Sequence, residues 1–259
     1  MITKQTSPLI VAHRGARKMA PDNTRAAFDR AVLCGVAGIE FDVQLTADGH
    51  PVLYHDRTLA RVGGGRRRVG ECSLDYLRSL DWGGWFSPSF RGESPVLLHE
   101  ALRRYGSRMR LFVEIKSREA DRAAGRHQIL TARVLEQIRA DVPPHRVKNG
   151  VFILSFDRDV LDIAAGIEPE IQYVLNVEKG DGLERSLRPR LAKLHGCSIP
   201  VRHLTPSFAR DLRRRGLLLL TYSCNQPYQL ERARKCGADV VMTDDPCRIV
   251  PLTRGRYGP

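Results

Sequence analysis

The sequence predicts a TIM (β/α)8 barrel on three observations. The chain is 259 residues long, short apolar β-type runs alternate with helical periodicity along most of it, and polar residues suited to chemistry gather at the ends of those runs. An α/β barrel commonly reaches about 250 residues as one unit, so a single domain over residues 1–259 is expected.

Eight strands are predicted near Leu9–His13, Ile39–Leu45, Leu111–Ile115, Val151–Ser155, Ile171–Leu175, Cys197–Pro200, Leu217–Tyr222 and Val240–Thr243. Helices are predicted at Thr24–Cys34, Leu97–Tyr105, Ala120–Arg139, Asp157–Ala165, Leu183–Leu194, Pro206–Arg215 and Tyr228–Cys236. Near-continuous apolar strands separated by helices are what a parallel sheet covered on its outer face requires. Asn23 or Thr24 suits the cap of the first helix, Gly35 and Gly237 suit left-handed C-terminal caps, and Pro206 falls in the first turn of its helix. Between His55 and Leu97 the rhythm breaks at Gly63-Gly64-Gly65, an Arg cluster and Trp82-Gly83-Gly84-Trp85. A usual βα connection has about 2–6 residues, so this stretch is read as an insertion over one barrel face.

Composition narrows the class. With 42% hydrophobic and 27% charged residues the chain is an ordinary globular protein. No apolar run approaches the roughly 18 residues of a membrane span, and Met1–Pro8 lacks an apolar signal core, so a cytoplasmic address is expected. The six cysteines form no C-x-x-C pair, which predicts buried reduced thiols. Lys plus Arg number 42 against 29 acidic residues, a formal charge of +13. That excess suits a solvated Arg-rich surface, steering of phosphate-bearing substrates, or weak contact with an anionic membrane. Nucleic acid is not expected as a partner, because the Arg clusters lack interleaved aromatics. Oligomeric state stays open.

The strand ends distinguish a barrel enzyme from an open doubly wound sheet. His13-Arg14 ends the first strand, Glu40-x-Asp42 lies along the second, His55-Asp56 ends an extended piece at Pro51–Tyr54, and Glu114-x-Lys116 ends the next strand. Catalytic groups of barrel enzymes come from such ends. Strand side chains alternate faces, so Glu40 and Asp42 point the same way, as do Glu114 and Lys116. Carboxylates inside apolar strands are costly unless something compensates. Converging at one mouth, these three make a hard oxygen site suited to one divalent cation, Mg2+ or Ca2+. The alternative is a structural ion network with Arg14 and Lys116. His13 and His55, beside the carboxylates, are read as a general acid and base across a phosphoryl group; the other six histidines are read as structural or surface residues.

These motifs resemble those of the glycerophosphodiester phosphodiesterase family. The match runs through His13-Arg14-Gly15-Ala16, Pro21-Asp22-Asn23-Thr24, Glu40-Phe41-Asp42-Val43, Thr46-Ala47-Asp48-Gly49 and Val52-Leu53-Tyr54-His55-Asp56, then Glu114-Ile115-Lys116, Ser155-Phe156 and Gly237-Ala238-Asp239 to Thr243-Asp244-Asp245-Pro246. The resemblance implies a barrel with a small insertion after the second βα unit, at about residues 57–95. It implies metal ligation by Glu40, Asp42 and Glu114, acid–base roles for His13 and His55, and phosphate binding by Arg14 and Lys116. Asp22 stands where the family usually has Glu, Val62-Gly63 replaces its paired threonines, and Tyr222-Ser223-Cys224-Asn225 replaces a Trp-Thr-Val-Asn segment, which leaves the alcohol of the substrate open.

The expected activity is therefore metal-dependent hydrolysis of a small anionic phosphodiester, a glycerophosphodiester, to an alcohol and glycerol 3-phosphate. Two alternatives stand beside it. One is a phospholipase D-like activity on lysophospholipids or sphingomyelin, for which Trp82, Trp85, Phe86 and Phe90 would form an apolar rim. The other is a non-enzymatic barrel that binds an anionic membrane or partner.

Overall fold

The computed structural model describes residues 7–179 and 193–254. Eight parallel strands close on themselves: β1 (Leu9–His13), β2 (Gly38–Leu45), β4 (Arg110–Ile115), β5 (Val151–Ser155), β6 (Gln172–Asn176), β7 (Leu194–Pro200), β8 (Leu218–Tyr222) and β9 (Val240–Thr243). β1 pairs with both β9 and β2, which makes the sheet a barrel. A ninth strand, β3 (Pro51–Leu53), runs antiparallel along β2. The predicted TIM barrel is the observed fold.

The strands are covered on both faces and are mostly apolar on both; the exception is β2, whose inner face carries Glu40, Asp42 and Gln44. Val11, Phe112, Phe152, Leu154, Val174, Leu220, Val240 and Met242 fill the barrel interior, with the Phe112 and Phe152 rings stacked at 4.6 Å. The opposite faces of the strands, among them Ile39, Phe41, Val113 and Ile153, pack outward with Phe28, Leu102 and Val134 of the surrounding helices. Full burial of such a side chain contributes on the order of 1.5–3 kcal/mol. Face alternation then places the chemistry. His13 shares a face with Val11, and Glu114 shares one with Phe112, so both stand above the apolar plug on the inner wall.

Local signals account for most helix boundaries. Thr24 caps the helix Arg25–Leu33 by accepting from the Ala27 N–H at 3.3 Å. Gly35 and Gly237 both adopt positive φ, at +77° and +68°, just beyond their helices. The single helix predicted over Ala120–Arg139 is instead two, Glu119–Ala123 and Arg126–Asp141. Gly125 between them has φ +68°, a left-handed conformation that ends an α-helix. The helix predicted at Leu183–Leu194 falls outside the described residues apart from its last two, and Leu194 opens β7.

The insertion, expected after the second βα unit, instead sits within it, between its strand and its helix, running from β3 to the helix Leu98–Tyr105. It has its own apolar cluster, in which Leu59, Val69, Leu74, Leu77 and Trp82 pack with Val52 and Tyr54. Trp82 stacks edge-on against Tyr54 at 5.2 Å and donates its indole N–H to the Leu77 carbonyl at 2.8 Å. Phe86 packs edge-on against both Trp85 and Phe90. These aromatics hold the excursion together, the ordinary use of a satellite cluster under a long loop.

The cysteines depart from expectation. Cys34 and Cys247 form a disulfide, while Cys72, Cys197, Cys224 and Cys236 are free and buried. The bridge spans 213 residues of sequence. It forms because closure of β1 against β9 brings the helix Pro246–Ile249 beside the end of the first helix.

Candidate active site

The site is built by strand register. Pairing of β1 with β2 sets His13 opposite Glu40, and pairing of β2 with β4 sets Asp42 opposite Glu114. Three adjacent strands thus deliver one histidine and three carboxylates to one patch of the barrel mouth. Ligand oxygens of Glu40, Asp42 and Glu114 all lie within 4.8 Å of one another, and all three residues are buried.

Arg14 and Lys116 converge on the same carboxylates. The Arg14 backbone N–H donates to Glu40 Oε2 at 2.9 Å, and its Nε lies 3.1 Å from Asp42 Oδ2. Lys116 Nζ sits 2.6 Å from Asp42 Oδ1 and also donates to Glu114 Oε1. The chain reaches this geometry through an unusual backbone: Arg14 has φ +58° and Gly15 φ +81°. A Cβ on Gly15 would come within 2.7 Å of the Ala27 backbone, so glycine is required there. Asn23, also at positive φ, donates to Asp42 Oδ2 at 2.9 Å and accepts from the Asp42 N–H at 3.3 Å. Asn176 at the end of β6 donates to Glu114 Oε2 at 3.1 Å.

The electrostatics are unbalanced. Burial opposes ionisation of Asp42, but Lys116 and then Arg14 hold its carboxyl well below the usual range. Burial raises the Glu40 carboxyl well above its ordinary value, reinforced by the charges of Asp42 and Glu114. Glu40 Oε1 is buried without a hydrogen-bond partner. Three carboxylates face two cationic side chains, and one carboxylate oxygen is left unsatisfied. That donor set, all oxygen and short of positive charge, fits a hard divalent cation.

Each of the two predicted histidines carries a carboxylate on Nδ1. His13 Nδ1 is 2.7 Å from Asp244 Oδ1 and 3.1 Å from Ser223 Oγ, and Asp244 is itself held by Asn225 at 2.7 Å. His13 Nε2 remains, 4.0 Å from Glu40 Oε2. Burial, then the nearby Arg14 charge, lower the His13 pKa to about 4. His55 Nδ1 is 3.0 Å from Asp56 Oδ1, and Asp56 is paired with Arg61 at 2.8 Å. His55 borders an open cavity of about 560 Å³ with Thr58, Glu114, Lys116, Ser155 and Phe156. Pockets for small ligands commonly span about 300–1,000 Å³.

All seven residues singled out in the sequence lie together at this mouth. Sequence reasoning assigned no site role to Asp244, Asn225, Asn176 or Arg61 and read Asn23 only as a candidate helix cap, although Asn23, Asn225 and Asp244 lie in the motifs it quoted. Asp244 follows the last strand directly, so a predicted closure of that strand against β1 was the signal that could have placed it beside His13. Tyr222 places an aromatic ring near the site, 6.0 Å from the His13 ring.

Comparison with known proteins agrees with this geometry. The sequence profile of the Glycerophosphoryl diester phosphodiesterase family matches residues 13–248. A glycerophosphodiester phosphodiesterase of Caldanaerobacter subterraneus subsp. tengcongensis is 31% identical over 249 residues, covering 95% of this chain and 98% of that protein. An Oleispira antarctica phosphodiesterase, solved in complex with the product sn-glycerol-3-phosphate, superposes with a TM-score of 0.84 at 26% identity, over 96% of this chain and 98% of the other. A structure from Silicibacter pomeroyi, described as a glycerophosphoryl diester phosphodiesterase, also gives 0.84, at 25% identity over 98% and 95% of the two chains. With its motifs in family order, its barrel closed around them and its length matched almost end to end, this chain belongs to the glycerophosphoryl diester phosphodiesterase family.

Proposed function

We propose that the barrel mouth hydrolyses glycerophosphodiesters to an alcohol and glycerol 3-phosphate, with Glu40, Asp42 and Glu114 as ligands of one divalent cation and His13 and His55 as the acid–base pair. The observation that carries this reading is the convergence of the three carboxylates within 4.8 Å, one of which, Glu40, lies directly across the strand register from His13. Mg2+ and Ca2+ both suit an all-oxygen donor set, and titration of the metal-free protein with each distinguishes them.

When bound, the cation supplies Lewis-acid stabilisation of the charge that builds on the phosphate. The protein's own groups do the rest. Asp244 and Asp56 engage the Nδ1 atoms of His13 and His55, which leaves the Nε2 atoms for proton transfer. One histidine removes the proton of the attacking hydroxyl, from water or from the adjacent glycerol hydroxyl. The other protonates the leaving alkoxide, a poor leaving group at neutral pH. Arg14 and Lys116 exchange part of their ion pairing with the carboxylates for oxygens of the incoming phosphate.

The aromatic residues of the insertion pack on one another, so the lysophospholipid alternative gains no support from them. No helix among the described residues is long and apolar enough to cross a membrane. The Cys34–Cys247 bond favours a compartment that oxidises thiols over the expected cytoplasm.

The test is hydrolysis of glycerophosphocholine, glycerophosphoethanolamine and lysophosphatidylcholine, with and without chelator. Metal-dependent release of glycerol 3-phosphate from the first two is expected. Turnover of lysophosphatidylcholine alone would overturn the assignment.

A further inference from the structure

Beside the catalytic cavity lies a smaller recess of about 130 Å³, and Arg57, Lys116 and Arg118 border both. Lys116 is also the side chain that reaches Asp42 and Glu114. The recess therefore adjoins the reacting phosphate across a single side chain. Its wall also includes Arg68 and Arg126, against only two carboxylates, Glu71 and Asp121.

Those two carboxylates are already engaged. Glu71 Oε1 pairs with Arg68 at 3.1 Å, and Asp121 Oδ1 lies 3.8 Å from Arg126. Among the described residues, neither Arg57 nor Arg118 has a carboxylate within ion-pair distance. Arg118 spends one Nη2 hydrogen bond on the His55 carbonyl at 2.9 Å, while its Nε is buried with no partner. His127, buried in the same wall, likewise has an unpartnered Nδ1. Burial and then the adjacent Arg57 charge lower the Arg118 pKa by more than Asp121, Asp42 and Asp56 raise it, so the carboxylates around Arg118 do not offset its burial beside a second guanidinium. Keeping cationic side chains together and partly desolvated is costly unless an anion relieves it. An anion with paired oxygens matches the guanidinium fork.

We propose that this recess is a second anion subsite, which selects glycerophosphodiesters whose alcohol carries a further phosphate or carboxylate. The proposal rests on the phosphodiesterase reading above. The glycerol half of such a diester offers only hydroxyl groups. A second negative charge in the substrate can therefore only be on the alcohol half, and the subsite reads the part of the substrate that the family motifs leave open. Arg57 and Arg118 are the specificity-determining residues, and Lys116 bridges the two anion positions.

The experiment compares kcat/KM for glycerophosphoglycerol, its phosphomonoester at the distal hydroxyl, and glycerophosphoglycerate. The wild-type enzyme should favour at least one of the two charged diesters over the neutral one by about 10-fold or more, the scale of one charge-assisted hydrogen bond. Comparison of the two charged diesters shows which anion the recess takes. Arg57→Gln and Arg118→Gln should each bring the ratio toward unity, and Arg57→Lys should keep part of it. Arg57 is exposed, so its variants should fold, and thermal midpoints check this. Equal kcat/KM for all three diesters in the wild type would overturn the subsite while leaving the phosphodiesterase assignment standing. So would a preference that both Gln variants retain. If glycerophosphocholine is hydrolysed but none of the three is, the subsite alone falls; if glycerophosphocholine is also left intact, the phosphodiesterase reading falls with it.

Discussion

His13 Nδ1 and Asp244 Oδ1 lie 2.7 Å apart, joining the end of the first strand to the residue after the last across the seam where the barrel closes. Asp244 touches no proposed metal ligand in its hydrogen bonds: its carboxylate meets His13 and Asn225, its backbone meets Asn225 and Lys18, and Arg17 Nη1 lies 3.8 Å from Oδ1. It therefore acts by orienting the His13 ring. Burial opposes its ionisation, yet the hydrogen bond from His13 lowers its pKa below the ordinary 3.8. A carboxyl with a depressed pKa is ionised above its unfolded value and protonates only as pH falls through the folded one. Asp244→Asn should accordingly reduce kcat by about 100-fold, the scale of a misaligned acid or base, and by the same factor from pH 5 to pH 9. A pH–rate series on both proteins checks this. A wild-type kcat in the variant would reduce the contact to a structural clasp.

Metal dependence follows from the carboxylate cluster. Glu40, Asp42 and Glu114 share one buried patch, and Arg14 and Lys116 offset part of their charge. A divalent cation bound to the native state stabilises it by mass action, about 2.7 kcal/mol at 100 times its dissociation constant. Dialysis against EDTA should abolish turnover, and added Mg2+ or Ca2+ should restore it and raise the thermal midpoint. Glu114→Gln should weaken both effects together. Full turnover in chelator would remove the metal from the mechanism.

The histidines are predicted to matter separately. His13→Ala and His55→Ala should each lower kcat by at least about 100-fold, the usual contribution of a positioned proton donor or acceptor. His13 is buried and His55 is half-buried at the rim of the open cavity. The first variant should therefore also lose some thermal stability, and the second should not. Either variant with wild-type kcat would show that its histidine takes no part.

The barrel is legible in the sequence because its strands are buried on both faces and read as continuous apolar runs such as Val151-Phe152-Ile153-Leu154. The carboxylate cluster is legible for the same reason: Glu40, Asp42 and Glu114 are charges set inside such runs. What stays hidden depends on contacts between distant positions. Asp244 is 231 residues from His13, Asn176 is 62 from Glu114, and Cys34 is 213 from Cys247. Composition and periodicity carry no trace of pairings that exist only once the sheet closes. The split of the predicted helix Ala120–Arg139 is hidden differently, because the local helical pattern continues on both sides of Gly125 and only its positive φ breaks the hydrogen-bond ladder.

Arg14 is placed by a left-handed backbone and three acidic neighbours. Its backbone N–H binds Glu40, its Nε faces Asp42, and its Nη1 lies 3.7 Å from Asp22. Burial disfavours its charge, and Asp42 followed by Glu40 more than compensates, which raises its pKa. Arg14→Lys keeps the charge but loses the planar fork that meets several oxygens at once. Misplacement of a reacting group by about 1 Å can cost on the order of 100-fold in rate. We expect kcat/KM to fall on that scale while circular dichroism stays that of the wild type. Unfolding of the variant would make Arg14 mainly a structural partner of the carboxylates.

The disulfide makes the last prediction. Cys247 is exposed, so reductant can reach the bridge, whereas the four free cysteines are buried. The bond ties the end of the first helix to the helix after β9 and so links both ends of the described barrel. Closing a loop of 213 residues removes unfolded-state entropy worth roughly 5 kcal/mol in the chain-entropy model. For a domain of about 250 residues each kcal/mol moves the thermal midpoint by about 2–4 °C. Reduction, or Cys34→Ser with Cys247→Ser, should therefore lower the midpoint by roughly 10–20 °C. Neither cysteine touches the catalytic mouth, so kcat at 25 °C should hardly change. Thiol titration confirms that the bond is broken in the reduced sample. With the bond shown to be open, an unchanged midpoint would mean that the strand pairing of β1 with β9 and the packing beneath it hold the seam without help.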